Sequence, residues 1–216
     1  MMPDLDRIYG PEFFAEWGPA HDRYIRSAEL ITDAVHAEFK PGRIIDLGAG
    51  CGVYGHFFAK KGTKVVSIDG VAPPAEHSYP VDIQRRDLTA PFENIWGAFD
   101  LALCFEVAEH IPESLSDAFL DNILRFSDRL ILSAAPPNQG GHHHVNEQPK
   151  RYWVAKLAAR GFAYDRRATG RIQMALTESH PPYMWMMEQI SVYDRVKSSA
   201  VVTDRLAFSV RHPTDA

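Results

Sequence analysis

The sequence predicts an α/β fold: a doubly wound, mostly parallel sheet of about seven strands whose C-terminal strand is antiparallel. Three observations lead to this class. Short apolar runs rich in β-branched residues alternate with segments of helical spacing, the first run (IIDL, residues 44–47) breaks into GAGCG, and no repeat or linker divides the chain. Because parallel neighbours need crossover connections, the alternation favours a parallel sheet that binds ligands at the carboxyl ends of its strands.

The elements follow one another in a regular order. Apolar side chains recur at helical spacing over residues 22–39, and Pro41 with Gly42 ends that helix before the first strand. Gly62 separates the next helix from the second strand. The predicted helices cover 22–39, 53–60, 114–126 and 152–159, and the predicted strands cover 43–47, 64–68, 81–86, 99–105, 129–134, 162–166 and 189–193.

The length of 216 residues indicates a single domain over 1–216. Within it we expect a helical N-terminal cover over 1–40, a ligand-binding core over 43–134, and later loops and strands over 135–216. A content of 45% hydrophobic and 24% charged residues is typical of a soluble globular protein.

Charge and cysteine content exclude several classes of function. The net charge of -5 disfavours nucleic acid as a partner, and two cysteines are too few for a disulfide scaffold. The N-terminal stretch MMPDLDRIYGPEFF lacks the layout of a signal peptide, and no apolar run approaches the ~18 residues of a membrane span. We therefore expect a cytoplasmic protein without a membrane partner.

The glycine loop after the first strand predicts a nucleotide-like ligand. Gly48, Gly50 and Gly52 are spaced differently from the G-x-G-x-x-G of dinucleotide enzymes, which argues against a phosphate cradle. Asp69 closes the second strand, where a carboxylate accepts hydrogen bonds from both ribose hydroxyls. Asp87 closes the third, where a carboxylate can accept from an adenine amine. The pattern indicates an adenosine without a required pyrophosphate.

At these residues the chain resembles the class I S-adenosylmethionine-dependent methyltransferases, of the small bacterial type. IIDLGAGCG is similar to their first motif, VVSIDG to the second and RRDL to the adenine-contacting segment, while FDLALCFEVAEHIPE resembles the fourth strand and its loop. The resemblance implies a Rossmann-like sheet and S-adenosyl-L-methionine as the cofactor. It also implies a set of cofactor-binding residues: Asp46, Gly48, Ala49, Gly50, Gly52, Asp69, Gly70, Asp87, Leu88, Phe105 and Glu106.

The loops after the fourth and fifth strands open on the same edge of the sheet, so their acids and histidines can meet. One imidazole can remove the proton of an acceptor hydroxyl, and we name His144 and His110 as the candidate catalytic residues. Alternatively, Glu106, Glu109, His110 and His144 ligate a divalent metal, as the pattern's similarity to small-RNA 2′-O-methyltransferases and ubiquinone-pathway O-methyltransferases implies. A purely structural loop is the third alternative. Asn146 and Glu147 either orient the acceptor or cap the next helix.

The two ends of the chain carry aromatic and methionine residues that suit an acceptor pocket, a dimer contact or ordinary core packing. They are HPPYMWMMEQ at 180–189 and the aromatic residues Tyr9, Phe13, Phe14 and Trp17. We expect methyl transfer to a hydroxyl of a small-molecule or glycan-like acceptor, and the dimer contact would make the protein a homodimer. The alternatives are metal-assisted transfer to a diol, catechol or RNA 2′-hydroxyl, and a non-catalytic cofactor-binding scaffold.

Overall fold

A computed structural model describes residues 5–196 of the chain. The strands are β1 (Arg43–Leu47), β2 (Lys64–Asp69), β3 (Ile83–Arg85), β4 (Leu101–Phe105), β5 (Arg129–Ser133), β6 (Phe162–Tyr164) and β7 (Ser191–Arg195). The α-helices are α1 (Leu5–Ile8), α2 (Pro11–Glu16), α3 (Asp22–Phe39), α4 (Val53–Lys60), α5 (Ser116–Ile123), α6 (Lys150–Ala158), α7 (Arg166–Ser179) and α8 (Met184–Gln189).

The strands form one sheet in the order β3-β2-β1-β4-β5-β7-β6. Among the strands within residues 5–196, only β7 runs antiparallel, and it pairs with both β5 and β6. The strand order reverses between β1 and β4, which are hydrogen-bonded neighbours. The predicted α/β class and the antiparallel C-terminal strand are therefore confirmed, and a ligand is expected where the order reverses.

Helices cover both faces of the sheet. Successive strand residues point to opposite faces, and apolar side chains on both faces are buried under helices. Ile44, with Leu101 and Leu103, packs in the cluster that includes α3, α4 and α7. Ile45 packs in the opposite cluster, against α5 and α6. The side chains of both clusters are buried from solvent. They hold the strands, and so set the positions from which the loops at the carboxyl ends start.

Local patterns fixed some element bounds better than others. The predicted bounds of α3, β1 and α4 coincide with the observed ones. The predicted helix over 114–126 is shorter, since a 3-10 turn at Glu113–Leu115 precedes it, and the last strand begins two residues later than predicted because α8 occupies Met184–Gln189. The predicted strand over 99–105 begins at Leu101, with an isolated bridge at Phe99.

The sequence prediction missed α7 entirely. Asp165 caps this helix by accepting hydrogen bonds from the backbone N–H groups of Arg167 and Ala168, both at 3.0 Å. Ala168, Ile172 and Leu176 recur every four residues and are buried. The cap and this spacing were the signals that could have predicted it.

No helix within residues 5–196 has the length and apolarity to cross a membrane. The stretch HPPYMWMMEQ contributes Met186 and Met187 to the core, while Met184 is exposed. Tyr183 binds His21 through its hydroxyl at 2.8 Å. The burial of Met186 and Met187 agrees with core packing, one of the three alternatives for this stretch.

Candidate active site

A cavity of about 470 Å³ opens at the carboxyl ends of β1 to β4. Residues that follow each of these four strands line it, together with the N-terminal segment. Its lining is Leu5, Asp6, Tyr9, Phe13, Phe14, Gly48, Gly50, Asp69, Gly70, Val71, Arg85, Arg86, Asp87, Leu88, Thr89, Glu106, Val107, His110, Ile111, Pro112 and Leu115. The volume is in the range of small-molecule sites.

The glycine loop after β1 forms one wall of the cavity. Gly48, Gly50 and Gly52 all have positive φ, at 82°, 53° and 81°. A Cβ atom on Gly48 would lie 2.3 Å from Val107 Cγ2, whereas one on Gly50 would meet no atom within 4 Å. Glycine is therefore required at Gly48 by close packing, and Gly50 leaves open space for a ligand to approach the backbone.

Asp69 at the end of β2 holds this loop in place. Its Oδ2 atom accepts a hydrogen bond from the Gly50 N–H at 2.8 Å, and its Oδ1 atom accepts from the Val71 N–H at 2.9 Å. Burial raises the pKa of Asp69 above its ordinary value, although the backbone donors oppose the shift. Each carboxylate oxygen keeps a further lone pair, so a ribose hydroxyl can still donate to it.

Asp46 supports the loop from within the sheet. It is 1% exposed, and its Oδ2 atom has no hydrogen-bond partner among the described residues. Burial, reinforced by Asp69, raises the pKa of Asp46 to about 7. Asp46 does not line the cavity, which agrees with a supporting position below the loop.

Asp87 and Leu88 follow β3 and border the same cavity. Asp87 Oδ1 accepts hydrogen bonds from the Thr89 N–H and the Thr89 hydroxyl, both at 2.7 Å. This is the geometry of a local turn, so one oxygen of Asp87 shapes the loop. Leu88 is 6% exposed and offers an apolar surface to a flat ring.

Two glutamates lie at the start of the loop after β4. Glu106 has the unusual φ of 55°, and its N–H donates to Ser133 in β5. Burial raises the pKa of Glu106 to about 7. Glu109 is fully buried, and neither of its carboxylate oxygens has a hydrogen-bond partner among the described residues. Burial and the nearby Glu106 raise its pKa well above the ordinary value.

The loop after β5 brings His144 beside His110. Their ring centroids are 5.0 Å apart. His144 Nδ1 lies 2.9 Å from Glu147 Oε1, and the same carboxylate accepts from the N–H groups of Asn138 and Gly140 at 2.8 and 2.6 Å. Glu147 therefore fixes both the loop and the ring of His144, and it leaves Nε2 of that ring as the other coordinating or basic atom.

The two loops are joined by backbone contacts. The N–H groups of Val145 and Asn146 both donate to the Glu109 carbonyl at 2.9 Å. Asn146 is buried and donates to the Ser116 hydroxyl at 3.1 Å. Neither Asn146 nor Glu147 caps α6, whose N-cap is Pro149. Burial, with the neighbouring His144, lowers the pKa of His110 to about 4, so this imidazole is neutral near pH 7.

The comparisons with known proteins agree with this architecture. A family model described as a methyltransferase domain matches residues 20–169. The chain belongs to this methyltransferase family. The resemblance to the class I S-adenosylmethionine-dependent methyltransferases is thereby confirmed.

Among curated relatives of this methyltransferase, a ubiquinone biosynthesis O-methyltransferase of Pseudomonas entomophila (strain L48) is 29% identical over 153 residues. The match covers 67% of this chain and 61% of the relative. The same enzyme of Pseudomonas paraeruginosa (strain DSM 24068 / PA7) is 30% identical over the same shares. The chain thus spans about 61% of the length of these curated relatives.

A solved structure has the same fold. It is a Burkholderia thailandensis 1,6-didemethyltoxoflavin-N1-methyltransferase with S-adenosylhomocysteine bound, similar at a TM-score of 0.59 with 16% identity, covering 91% of this chain and 92% of that one. This likeness confirms the Rossmann-like sheet.

The methyltransferase brings most of the predicted site residues to one cavity. Those that line it are Gly48, Gly50, Asp69, Gly70, Asp87, Leu88, Glu106 and His110. The predicted residues that do not line it are Asp46, Ala49, Gly52, Phe105, Glu109 and His144. Sequence reasoning missed the contribution of Val107, which lies within the FEVAEH motif, and of Ile111 and Leu115, which follow it closely enough to have been expected.

Proposed function

We propose that this methyltransferase moves a methyl group from S-adenosylmethionine to a hydroxyl of a small-molecule or glycan-like acceptor. One observation carries the proposal: a single cavity is lined by Gly50, Asp69 and Asp87 and also by His110. The adenosine-type residues and the acid-base residues therefore border the same space. That arrangement lets a methyl donor and an acceptor meet in line.

The residues of the glycine side would bind the donor. Asp69 would accept hydrogen bonds from the ribose hydroxyls, and Asp87 with Leu88 would border the adenine. Gly48 and Gly50 would leave room for the methionine part. S-adenosylmethionine supplies a methyl group on a sulfonium, and the electron pair of the broken C–S bond stays on sulfur.

The histidine side would handle the acceptor's proton. Glu147 holds the ring of His144 at Nδ1, and the Nε2 atom would accept a proton while the acceptor oxygen forms its new bond to carbon. His110 lies against the same ring. The names of the relatives, which are O-methyltransferases, support oxygen as the acceptor atom.

The proposal is tested by calorimetry with S-adenosylhomocysteine and by transfer of a labelled methyl group to a panel of hydroxyl compounds. We expect heat, thermal stabilisation and a methylated product. Stabilisation by an NAD-type ligand with no response to S-adenosylhomocysteine would overturn the proposal. Binding without transfer to any acceptor would instead support a non-catalytic scaffold.

A specific observation favours a second candidate, in which a divalent metal assists transfer to a diol, catechol or RNA 2′-hydroxyl. One ligand atom from each of Glu109, His110 and His144 lies within 4.8 Å of the others. Glu106, the fourth residue expected from the sequence, is outside this group. The net charge of -5 supports a small acceptor over RNA.

The donor set fits such an ion. A carboxylate and two imidazoles are ordinary ligands for divalent metals, and the unpartnered oxygens of the buried Glu109 would gain a partner. Glu147 would orient His144 from behind. A bound metal would lower the pKa of an acceptor hydroxyl and orient it.

Removal of the metal tests this candidate. Treatment with a chelator should abolish methyl transfer, and one of Mg²⁺, Mn²⁺ or Zn²⁺ should restore it. Glu109→Gln should weaken that restoration, whereas Glu113→Gln, which changes an exposed glutamate of the same loop, should not. Full activity in the chelator would eliminate the metal and leave the histidine base.

A further inference from the structure

We propose that Tyr9 is a catalytic residue of this site, whose hydroxyl donates a hydrogen bond to the acceptor oxygen that receives the methyl group. This inference rests on the proposed methyl transfer to a hydroxyl. It assigns a role in the reaction to the N-terminal segment, which stands 39 positions before Gly48 in the chain.

The Tyr9 hydroxyl lacks a hydrogen-bond partner among the described residues. Its oxygen is buried, although Tyr9 lines the cavity. Buried hydroxyls nearly always have a partner, because an unmade hydrogen bond leaves the cost of desolvation uncompensated. An orphaned donor on a cavity wall therefore points to a ligand that completes it.

The tyrosine is held firmly in this position. The Ile8 carbonyl lies 2.8 Å from His142 Nε2, and Leu5 packs so closely on Gly70 that a Cβ there would lie 2.9 Å from Leu5 Cδ1. Asp6 forms an ion pair with Arg85, which also lines the cavity. These contacts tie α1 to the edge of the sheet and hold Tyr9 in the lining of the cavity.

The surroundings of Tyr9 place it on the acceptor side. Its ring contacts His110 edge-on with centroids 5.7 Å apart, and it also contacts His142 and His143, at 5.8 and 6.3 Å. These histidines belong to the loops after β4 and β5. Asp69 and Asp87, which are proposed to bind the ribose and adenine groups of the donor, line the same cavity.

The hydroxyl is suited to donate and not to act as a base. The ordinary pKa of a tyrosine is about 10, so the phenol carries its proton near pH 7. It would bind one lone pair of the acceptor oxygen and leave another aimed at the methyl carbon. The acceptor's own proton leaves to an imidazole, the O–C bond forms, and the C–S bond breaks with its electrons on sulfur.

The test compares two tyrosines that both have buried, unpartnered hydroxyls. Tyr9→Phe removes the one on the cavity wall, and Tyr152→Phe removes one that does not line the cavity. With catechol as the probe acceptor and labelled S-adenosylmethionine, Tyr9→Phe should lower kcat/KM by about tenfold. Its Kd for S-adenosylhomocysteine and its Tm should stay close to the wild-type values. Tyr152→Phe should leave kcat/KM unchanged.

Three results would overturn the assignment. If wild type is active and Tyr9→Phe keeps its kcat/KM, the hydroxyl does not touch the reacting oxygen. If Tyr9→Phe chiefly weakens binding of S-adenosylhomocysteine, or lowers Tm, the hydroxyl serves the cofactor or the fold. If wild type methylates neither catechol nor any other hydroxyl compound, the proposed function itself fails and takes the assignment with it.

Discussion

The two sides of the cavity are built in different ways. On the side proposed to bind the cofactor, Gly48, Gly50, Asp69 and Asp87 each stand at or just after the end of a strand, and the backbone sets their positions. On the side proposed to bind the acceptor, segments 5–17, 106–112 and 138–147 meet through contacts between separate parts of the chain. Residues whose positions depend on local backbone can be predicted from sequence spacing. Residues brought together by contacts between distant segments can be identified only from the folded structure.

The separation of the two sides would be tested most strongly by His144→Ala. We expect kcat to fall by about 100-fold or more, because either proposed role of His144, general base or metal ligand, would be lost. Binding of S-adenosylhomocysteine should be unchanged, since His144 does not line the cavity wall that carries Asp69. Steady-state kinetics and calorimetry would measure the two effects. His77→Ala serves as the control, and unaltered turnover in His144→Ala would remove the role assigned to His144.

Asp69→Ala should chiefly weaken cofactor binding, whereas His144→Ala should chiefly lower kcat. Loss of the carboxylate deletes the hydrogen bonds to Gly50 and Val71 together with the ribose contacts. We expect binding of S-adenosylhomocysteine to weaken by about 100-fold. Asp69→Asn keeps one acceptor oxygen and should fall in between. Wild-type affinity in both variants, measured by calorimetry, would show that Asp69 only shapes the loop.

Alanine variants of two glycines with nearly the same φ would distinguish the effect of a packing clash from that of backbone strain. Gly48 and Gly62 have φ of 82° and 83°, but only a Cβ on Gly48 would collide, with Val107. Both alanine variants should therefore lose about 1 kcal/mol of unfolding free energy through strain. Gly48→Ala alone should also bind S-adenosylhomocysteine about tenfold more weakly, because Val107 must move within the cavity wall. Equal binding in both variants would contradict this.

The smallest expected effect concerns pH and Asp46. Burial raises the folded-state pKa of Asp46 from 3.8 to about 7, so the folded state holds a proton that the unfolded state releases. The contribution of Asp46 to stability is present below about pH 4 and is lost as the pH rises to about 7. Asp46→Asn should reduce this loss. Urea unfolding at both ends of the window would measure it, and identical pH dependence in the variant would contradict the shift.

The sequence could predict the elements whose signals are local. The bounds of α3, β1 and α4 follow from helical spacing, from Pro41 and Gly42, and from the glycine loop. The sequence prediction missed α7 because arginines and Gly170 obscure its apolar spacing. The Asp165 cap was a local signal for its start, whereas the surfaces against which the helix packs, α3 and β7, come from distant parts of the chain.

The candidate site divides in the same way. The sequence predicted Asp69 and Asp87 at strand ends, and both line the cavity. It also named His144 and Glu147, but their contact and the grouping of His144 with Glu109 and His110 depend on how two loops fold over each other. Tyr9 was only one aromatic residue among several until its hydroxyl was seen buried without a partner.

By itself, the sequence determined the order of strands and helices, the conformations that its glycines permit and the acids at the strand ends. These depend on dihedral preferences and on a periodicity that extends over a few residues. Tertiary structure alone decided which histidine meets which carboxylate, and that Tyr9 of the N-terminal segment lines the cavity. Such contacts join separate loops or, as between Ile8 and His142, residues 134 positions apart, and their energy exists only after the core has brought the segments together.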